Sequence, residues 1–584
     1  MKKRAWLFLL PLVLLAAVLF PTIPAEDAPV ELPLAMEGLH AEISDDSGAK
    51  ESIALWKNAD GKYLLFLPSY ATEESAKLIA ADGTETALPA SGSSAVLSGG
   101  EVVEIVTGSA LPAIYITTES GSLDAIRADK EHKESGTIRI VEADGSLHYK
   151  GQLAQIKGRG NTTWEFDKKP FNIKLQEKAD LFGMGEAKSW CLLANYRDTS
   201  YVRNAMVYDY ALAVGVDNTT DSQSFDLYVN GEYQGLYLMT EKVEIGKNRL
   251  DVPDIEEENE LGNPQMKLKE YPRFDLGTKR GVALPYTPDE RSGFLLELDF
   301  PGRWAEEVSG FVTEAGQHIV MKCPEYASEE QVDYVSALVQ EFETRLFAGD
   351  PSYLDYIDLD SWVQLYLIEE IFEDVDCGLS SIYFYVMDGK LVAGPLWDFD
   401  LTMGASYAVE NPETLYAAWS ERTEEFTSYY LPALYAEETF RARVQELYAD
   451  GWSEQIRVLA AEAEGYVADV LASAEMDALR WNRDASATAA SGAYLQDYLT
   501  RRADFLDSLW IEGESYHRVS LMGNVYTRYY ESMVRHGETF DNFPVLWKEN
   551  HTLEGWFYEG TDKPFDASKP ITEETHLYAK WKEN

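Results

Sequence analysis

Cysteine is scarce in this chain: Cys191, Cys323 and Cys377 are the only three among 584 residues, and no two form a Cys-x-x-Cys pair. Such a set excludes a disulfide framework, allows one disulfide at most and offers no thiolate zinc site. The eight histidines also lack the His-x-His and His-x-x-x-His spacings typical of zinc enzymes. We therefore expect neither a disulfide-rich fold nor a zinc hydrolase.

Positive charge is also in short supply. The chain has 50 Lys and Arg against 100 Asp and Glu, for a formal charge of -50, which disfavours nucleic acid as a partner. An acidic surface can provide solubility, bind cations or attract basic proteins, and charge alone does not choose among them. With 45% hydrophobic and 12% aromatic residues, the chain is too apolar for intrinsic disorder, so we expect a globular protein.

A long hydrophobic run occurs only near the N-terminus. Residues 1–25 carry the cations Lys2, Lys3 and Arg4, then an apolar stretch over residues 5–20. This stretch is shorter than the ~20 residues that span a bilayer, so a cleaved secretory signal is favoured over an uncleaved signal anchor. The sequence thus predicts a secreted or cell-surface protein.

Three further regions follow, as expected for a chain this long. Residues 26–110 contain short alternating apolar runs and predict a β-rich domain. Residues 111–512 mix strand patterns with long helical stretches and predict an α+β domain. Residues 517–584 return to strand patterns and predict a small β module.

The last region carries a recognisable pattern. Its runs Leu-Glu-Gly-Trp-Phe-Tyr at 553–558 and Thr-His-Leu-Tyr-Ala-Lys-Trp at 575–581 resemble the Listeria-Bacteroides repeat of bacterial surface proteins. The resemblance implies a β-grasp-like interaction or spacer module that contacts the cell wall or another surface. A purely structural appendage is the simpler interpretation.

Acidic residues cluster around a predicted hairpin. Asp360 is a suitable N-cap for a helix over 361–372, and strand-like residues 381–387 follow. The Asp388-Gly389 pair predicts a two-residue type I′ turn with a returning strand over 390–397. In this register the residue numbers of each cross-strand pair add up to 777. Met387 therefore faces Lys390, and Cys377 would face Asp400.

If that pairing persists, the carboxylates of Asp376, Asp398 and Asp400 come within several ångströms of one another. Three like charges require a cation, and a hard divalent ion such as Mg²⁺ suits oxygen ligands. Alternatively, Asp398 and Asp400 cap a turn and Asp376 is a solvated loop residue. A catalytic Asp, a hairpin and a metal-binding Asp are also the layout of protein kinases, although Gly-x-Gly-x-x-Gly and His-Arg-Asp are absent.

Candidate phosphate ligands lie upstream. Gly158 and Gly160 flank Arg159, which allows close backbone approach beside a guanidinium fork suited to phosphate oxygens. Lysines follow at 168, 169 and 174 in a strand-like run and supply point charges. The alternative is a glycine turn with charged strand residues facing water.

These segments resemble a known family. The run Lys-Gly-Arg-Gly-Asn-Thr-Thr-Trp at 157–164, with its Lys-Lys-Pro-Phe continuation, is similar to the signature of the CotH family of spore-coat-type atypical protein kinases. Further matches follow in order over about residues 112–510: Asn-Tyr-Arg-Asp at 195–198, Arg203-Asn204, Asn-Gly-Glu-Tyr-Gln-Gly-Leu-Tyr at 230–237, Glu241-Lys242 and Gly-Pro-Leu-Trp-Asp-Phe-Asp at 394–400.

The resemblance implies a kinase-like fold that binds ATP with Mg²⁺, or with Mn²⁺ instead, and phosphorylates Ser or Thr of secreted or coat proteins. It implies a catalytic Asp, metal-binding Asp residues, phosphate ligands and an acidic partner for a lysine. The catalytic Asp is Asp376, and the main metal ligand is Asp398 or Asp400, with both available to hold Mg²⁺. The phosphate ligand is Lys169 or Lys174, assisted by Arg159. The acidic partner is Glu241, which is otherwise a surface residue at a strand end. The charge of -50 favours a basic protein substrate.

One departure from a kinase-like pattern keeps other functions open. Where an Asn would bind a second metal, residues 378–381 read Gly-Leu-Ser-Ser, so a one-metal or degenerate site is an alternative. A non-catalytic adhesin or scaffold is the second hypothesis, because ATP is scarce outside cells. A glycoside hydrolase needs carboxylates on both sides of a sugar cleft, which clustered hairpin residues fit poorly.

Overall fold

The computed structural model describes residues 30–32, 36–377, 380–406, 409–418, 430–523 and 529–584. With 28% helix and 31% strand, the chain has the predicted α+β class, with a β-rich N-terminal region and a small C-terminal β module. Within these ranges, no helix has both the length and the apolar character needed to cross a bilayer. The signal segment predicted for residues 1–25 lies outside the described residues.

Two sheets form the N-terminal region. The strands are β1 (Val30–Glu31), β2 (His40–Ser44), β3 (Lys50–Ala54), β4 (Trp56–Lys57), β5 (Tyr63–Leu67), β6 (Ala76–Ile79), β7 (Glu85–Ala87), β8 (Ser94–Val96) and β9 (Val102–Thr107). One sheet has the order β1-β8-β9-β5-β4 and the other β3-β2-β6-β7. Alternate residues of β2 are buried, as expected for a strand with one face on a core.

A closed seven-stranded barrel follows. Its strands are β10 (Ala113–Thr118), β11 (Glu134–Val141), β12 (Leu147–Gly158), β13 (Phe171–Asp180), β14 (Glu186–Leu193), β15 (Ser222–Val229) and β16 (Glu232–Glu241). The order is β10-β11-β12-β13-β14-β16-β15, and a parallel pairing of β10 with β15 closes it. Buried apolar residues such as Ile114, Ile156 and Trp190 form one cluster on these strands. Along the chain, helix α1 (Asp124–Ala128) lies between β10 and β11, and helix α2 (Arg203–Ala213) lies between β14 and β15.

The rest of the α+β region combines a second sheet with helices. Its strands are β17 (Arg273–Asp275), β18 (Lys279–Val282), β19 (Phe294–Asp299), β20 (Gly310–Val312), β21 (His318–Cys323), β22 (Ile382–Met387) and β23 (Lys390–Ala393), in the order β17-β18-β20-β21-β19-β22-β23. The helices are α3 (Ile255–Gly262), α4 (Pro301–Trp304), α5 (Glu329–Phe347), α6 (Leu359–Phe372), α7 (Tyr430–Ala436), α8 (Glu438–Leu447), α9 (Ser453–Trp481) and α10 (Ser486–Trp510). The apolar faces of this sheet and these helices share the largest buried cluster.

The C-terminal module is a single four-stranded sheet. It consists of β24 (Tyr516–Met522), β25 (Tyr529–Arg535), β26 (His551–Tyr558) and β27 (Thr575–Glu583), in the order β25-β24-β27-β26. Val519, Trp556 and Leu577 contribute to a core of its own. Tyr516 packs edge-on against Phe505 of α10, with ring centroids 5.2 Å apart, and so attaches the module to the helices.

The predicted hairpin forms, but it is shorter than expected. Met387 faces Lys390, and both turn residues have the positive φ that a type I′ turn requires, 50° at Asp388 and 75° at Gly389. Pairing ends at Phe384 and Ala393. Pro395, which has no N–H to donate to a ladder, follows soon after. The predicted pairing of Cys377 with Asp400 is therefore wrong, and other contacts must position the acidic residues.

Helix α6 also begins earlier than predicted. The carboxylate of Asp358, not that of Asp360, accepts a hydrogen bond from the Ser361 backbone N–H at 2.9 Å and caps the helix. Asp360 lies in the first turn and binds Arg443, with Nε 2.7 Å from the carboxylate. The three cysteines are buried, and none of them forms a disulfide bond within the described residues.

A buried ion pair joins the barrel to helix α9. The Lys168 ammonium lies 2.5 Å from the Asp477 carboxylate, and both side chains are fully buried. Asp477 also accepts hydrogen bonds from the Leu236 N–H of β16 at 2.9 Å and from the Tyr201 hydroxyl at 2.8 Å. Burial lowers the pKa of Lys168, and the neighbouring Asp477 opposes that shift. Because both side chains are shielded from water, each charge depends on the other for stabilisation.

A second buried carboxylate lies nearby. Asp226 of β15 accepts hydrogen bonds from Ser473 Oγ of α9 at 2.8 Å and from the Tyr233 hydroxyl at 2.9 Å. The same Ser473 hydroxyl oxygen accepts a bond from the Ser109 N–H, which connects the N-terminal region to α9. Burial raises the pKa of Asp226 to about 7.

We predict that breaking the Lys168–Asp477 pair destabilises the fold. Asp477→Asn leaves the buried ammonium without a counter-charge and should lower the free energy of unfolding by about 3–5 kcal/mol, measured in urea. The exposed Lys50–Glu42 pair is the control, and Lys50→Met should cost at most about 1 kcal/mol. Equal effects at the two positions would contradict the prediction.

We also predict that stability decreases between about pH 4 and pH 7. The pKa of Asp226 is raised in the folded state, so the folded chain keeps a proton that the unfolded chain releases, and stability is lost as pH rises through this range. Asp226→Asn keeps an acceptor for Tyr233 and should reduce the slope by up to about 1.4 kcal/mol per pH unit. An unchanged slope in unfolding experiments would refute it.

Candidate active site

A pocket of about 500 Å³ lies where the barrel meets the second sheet and the loops after α6 and β23. Four of the predicted site residues line it: Arg159, Asp376, Asp398 and Asp400. Lys169, Lys174 and Glu241 are not part of its lining. The structure therefore brings the Arg159 loop and the acidic residues to one cavity, although they are more than 200 positions apart in the chain.

The Arg159 loop depends on its two glycines. A Cβ at Gly158 would lie 2.5 Å from the Trp164 ring, and Gly160 has a φ of +82°, which favours glycine. Lys130 Nζ donates to the Gly160 carbonyl at 3.0 Å, and the Arg159 guanidinium lies 5.4 Å from the Trp397 ring centroid. The loop thus presents a restrained guanidinium to the pocket.

The acidic loop after β23 (residues 394–403) and the residue just before β22 have unusual backbone geometry. Asp398 has a φ of 75° and Ser381 a φ of 64°, which are uncommon for residues with side chains. Ser381 Oγ donates to Asp398 Oδ2 at 3.3 Å, and the Phe399 N–H donates to Asn204 Oδ1 at 2.7 Å. Strained residues persist where their surroundings hold them, and they cluster at functional sites.

The first turn of α2 provides that support. Arg203 is buried and forms an ion pair with Asp198 at 2.5 Å. Its Nε donates to the Thr402 carbonyl at 2.9 Å and its Nη2 to the Met403 carbonyl at 3.3 Å. Arg203 and Asn204 therefore bind the backbone on both sides of Asp400.

Asp376 comes from the opposite wall. It follows the end of α6, where Glu373 has a φ of 49°, and its N–H donates to Asp374 Oδ1 at 3.2 Å. The end of α6 is anchored by Arg502, whose guanidinium lies 2.8 Å from the Glu370 carboxylate, with both side chains fully buried. Of the residues that follow Asp376, Gly378 and Leu379 lie outside the described residues.

The carboxylates of the pocket repel one another. Enclosure raises the pKa of Asp398, and Arg159 opposes that shift. Enclosure also raises the pKa of Asp400, the charges on Asp398, Asp198 and Asp376 add to it, and Arg197 opposes it. A bound cation would relieve this repulsion.

The acidic residues do not form a complete metal cage. In the described part of the chain, no group of three or more His, Cys, Asp or Glu side chains is arranged to hold a metal ion. The predicted convergence of three carboxylates on one ion therefore does not form, because the hairpin ladder ends at Ala393. Two carboxylates are still enough for Mg²⁺, which is usually bound by one or two carboxylates together with phosphate oxygens.

The other three predicted residues have different neighbours. Lys169 Nζ donates to the Trp164 carbonyl at 2.6 Å, and Lys174 is exposed on β13. Glu241 forms an ion pair with Arg249, whose guanidinium lies 4.5 Å from the Trp190 ring centroid. The predicted pairing of Glu241 with a lysine is therefore wrong. Strand β14 lies between β16, which carries Glu241, and β13, which carries Lys174. The turn after β16 brings Arg249 back over β14, where it pairs with Glu241 instead.

Sequence reasoning missed several residues of the pocket. Arg197 and Asn204 line it, and both belong to motifs noted in the sequence without a role. Glu297 of β19 and Lys322 of β21, 3.2 Å apart, form another wall. Their proximity follows from strand pairing alone, so no local sequence signal indicated it.

The lining also has an apolar part, which includes Cys191, Leu193, Val243 and Trp397. The pocket therefore combines apolar surface with guanidinium and carboxylate groups. This mixture suits a ligand that has an apolar ring and several anionic oxygens.

Comparison with known proteins adds one finding. The family model described as CotH kinase protein matches residues 156–506, which is more than half of the chain and includes Arg159, Asp376, Asp398 and Asp400. No curated protein matches the chain.

We predict that Asn204 stabilises the acidic loop. Asn204→Ala removes the acceptor for the buried Phe399 N–H and should lower the free energy of unfolding by about 1–3 kcal/mol. Asn161 also lines the pocket, but it is exposed and its side chain makes no capping bond, so Asn161→Ala should cost under about 0.5 kcal/mol. Similar unfolding midpoints for the two variants would contradict this role.

Proposed function

This chain belongs to the CotH kinase protein family, and from that membership we propose that it is a secreted or cell-surface protein kinase. It transfers the γ-phosphoryl group of ATP to Ser or Thr side chains of extracytoplasmic or coat proteins. The observation that carries the proposal is the shared pocket of Arg159, Asp376, Asp398 and Asp400 within the matched region. In this proposal the barrel and the helical part act as the two lobes of a kinase-like fold.

The residues of the pocket fit ATP and a divalent ion. Asp398 and Asp400 would hold Mg²⁺ or Mn²⁺, because their mutual repulsion favours a cation between them. Arg159 would bind phosphate oxygens, since among the described residues no carboxylate lies within 4.0 Å of its guanidinium. When bound, Mg²⁺ neutralises charge on the β- and γ-phosphate oxygens.

The proposed transfer is a single in-line step. The hydroxyl oxygen of the substrate forms a bond to the γ-phosphorus as the bond from that phosphorus to the bridging oxygen breaks, and ADP leaves with the electron pair. Asp376 orients the hydroxyl and accepts its proton. Arg159 stabilises negative charge on the nucleotide as ADP departs.

Substrate and location extend this proposal. The charge of -50 supports a basic protein substrate, since opposite charges favour encounter. The basic, then apolar, residues 1–25 support secretion. The C-terminal sheet, with its likeness to the Listeria-Bacteroides repeat, would contact the cell wall or another surface.

We predict transfer that depends on Asp376. Purified protein with labelled ATP and Mg²⁺ should phosphorylate a Ser- and Thr-containing basic peptide faster than an acidic one. Asp376→Ala should lower the rate by about 10²–10⁴-fold, the usual contribution of a positioned acid or base. Asp360→Ala is the matched control, because Asp360 is an exposed carboxylate that binds Arg443, and its rate should stay unchanged.

Nucleotide binding separates the alternatives. A thermal shift with ATP and Mg²⁺ should persist in Asp376→Ala and disappear in Asp398→Ala. A wild-type protein with neither shift nor transfer would refute the kinase proposal. Tight binding to cell-wall polymer in that case would favour a surface scaffold or adhesin.

A further inference from the structure

A second guanidinium faces the acidic loop. We infer that Arg197 binds the γ-phosphoryl group during transfer, while Arg159 binds the part of the nucleotide that remains as ADP. This inference rests on the proposed kinase function and assigns a role to a residue of the Asn-Tyr-Arg-Asp motif.

Arg197 is available to a ligand. Arg197 lines the pocket and is exposed to solvent. Among the described residues, no carboxylate oxygen lies within 4.0 Å of its guanidinium. Most other cations of the lining already have acidic partners 2.7–3.2 Å away: Lys157 with Glu131, Lys242 with Glu244, Arg303 with Glu306 and Lys322 with Glu297. Lys130 is bonded to the Gly160 carbonyl. Arg159 and Arg197 thus remain as the guanidiniums that can bind an anion.

The backbone around Arg197 is held on both sides. Asn195 Nδ2 donates to the Tyr201 carbonyl at 2.9 Å, and the buried Asp198 carboxylate accepts from the Ser200 N–H at 2.8 Å. Asp198 also binds Arg203, which fixes the turn to the start of α2. A charged group on such a turn is pre-positioned, so little ordering is needed when an anion binds.

An aromatic stack restrains the side chain itself. The Arg197 guanidinium lies 5.9 Å from the Phe166 ring centroid, and Phe166 stacks on Tyr196 with centroids 4.7 Å apart. Phe166 lies just beyond the Arg159 loop. The stack therefore keeps Arg197 on the same side of the pocket as that loop.

The two guanidiniums lie toward different ends of the acidic loop. Arg159 lies 5.4 Å from the ring centroid of Trp397, the residue before Asp398. Arg197 is next to Asp198 in the chain, and Arg203, the ion-pair partner of Asp198, donates to the Thr402 and Met403 carbonyls beyond Asp400. The two cations therefore act at different points of the acidic loop. A triphosphate that spans both points would contact the two arginines with different phosphate groups.

Transfer of the γ-phosphoryl group requires a hydrogen-bond donor for its equatorial oxygens. As the substrate oxygen bonds to the γ-phosphorus and the bond to the bridging oxygen breaks, negative charge stays on the equatorial oxygens of the transferring group. Arg197 donates N–H groups to those oxygens without taking a proton, and Asp376 receives the proton of the substrate hydroxyl. A guanidinium suits this role because it stays charged and presents several donors in one plane.

The test compares nucleotides with and without the γ-phosphate. Calorimetric titration with Mg²⁺ would measure the affinity for a non-hydrolysable ATP analogue and for ADP in the full chain. Arg197→Ala should weaken binding of the analogue by about tenfold and change ADP affinity by less than about twofold. Arg197→Lys should recover part of the loss. Arg303→Ala, which removes a cation already paired with Glu306, should not change the ratio of the two affinities.

The outcomes separate this inference from the proposed function. Equal weakening of both nucleotides in Arg197→Ala, or no weakening of either, overturns the role of Arg197 while wild-type binding leaves the kinase proposal standing. A wild-type chain that binds neither nucleotide overturns both. Arg197 is exposed, so the variant should keep the wild-type unfolding midpoint, and this measurement excludes a folding defect as the cause.

Discussion

The structure of the pocket depends on hydrogen bonds between the start of α2 and the backbone of the acidic loop. Several carboxylates are enclosed in one cavity, and their repulsion would open it if only short-range loop contacts held them. Arg203 and Asn204 bind the backbone around Asp400, and Asp198 in turn holds Arg203. Because Asp198 neutralises Arg203, this contact does not use the side chains of Asp398 and Asp400 as counter-charges.

The barrel extends beyond the region that the family match covers. That match begins at residue 156, near the end of β12, yet β10 and β11 are needed to close the barrel that carries the Arg159 loop. The N-terminal sheets are joined to the same unit, since Ser109 bonds to Ser473 and Trp56 packs against Arg480. Helix α9 therefore contacts both the N-terminal region and the barrel, and it also supplies Asp477 for Lys168.

Much of the local structure followed from sequence patterns. The α+β class, the two β-rich ends and the Asp388-Gly389 turn with its register were predicted, because turn residues and apolar periodicity act over a few positions. The prediction was wrong where it extended local pairing too far. The ladder stopped at Ala393, and a carboxylate two residues upstream of Asp360 capped α6, since Asp358 and Asp360 are equally good caps by residue type.

By itself, the sequence determined the family, the glycine-flanked Arg159 and the acidic run after the hairpin, because each depends on residue types at short spacing. Only the tertiary structure decided which charges share the pocket. It separated Lys169 and Glu241 from that pocket, buried Lys168 against Asp477, and brought Arg197 and Asn204 to the acidic loop. Charge partners are chosen by barrel closure and helix packing between distant segments, and no local pattern records that choice.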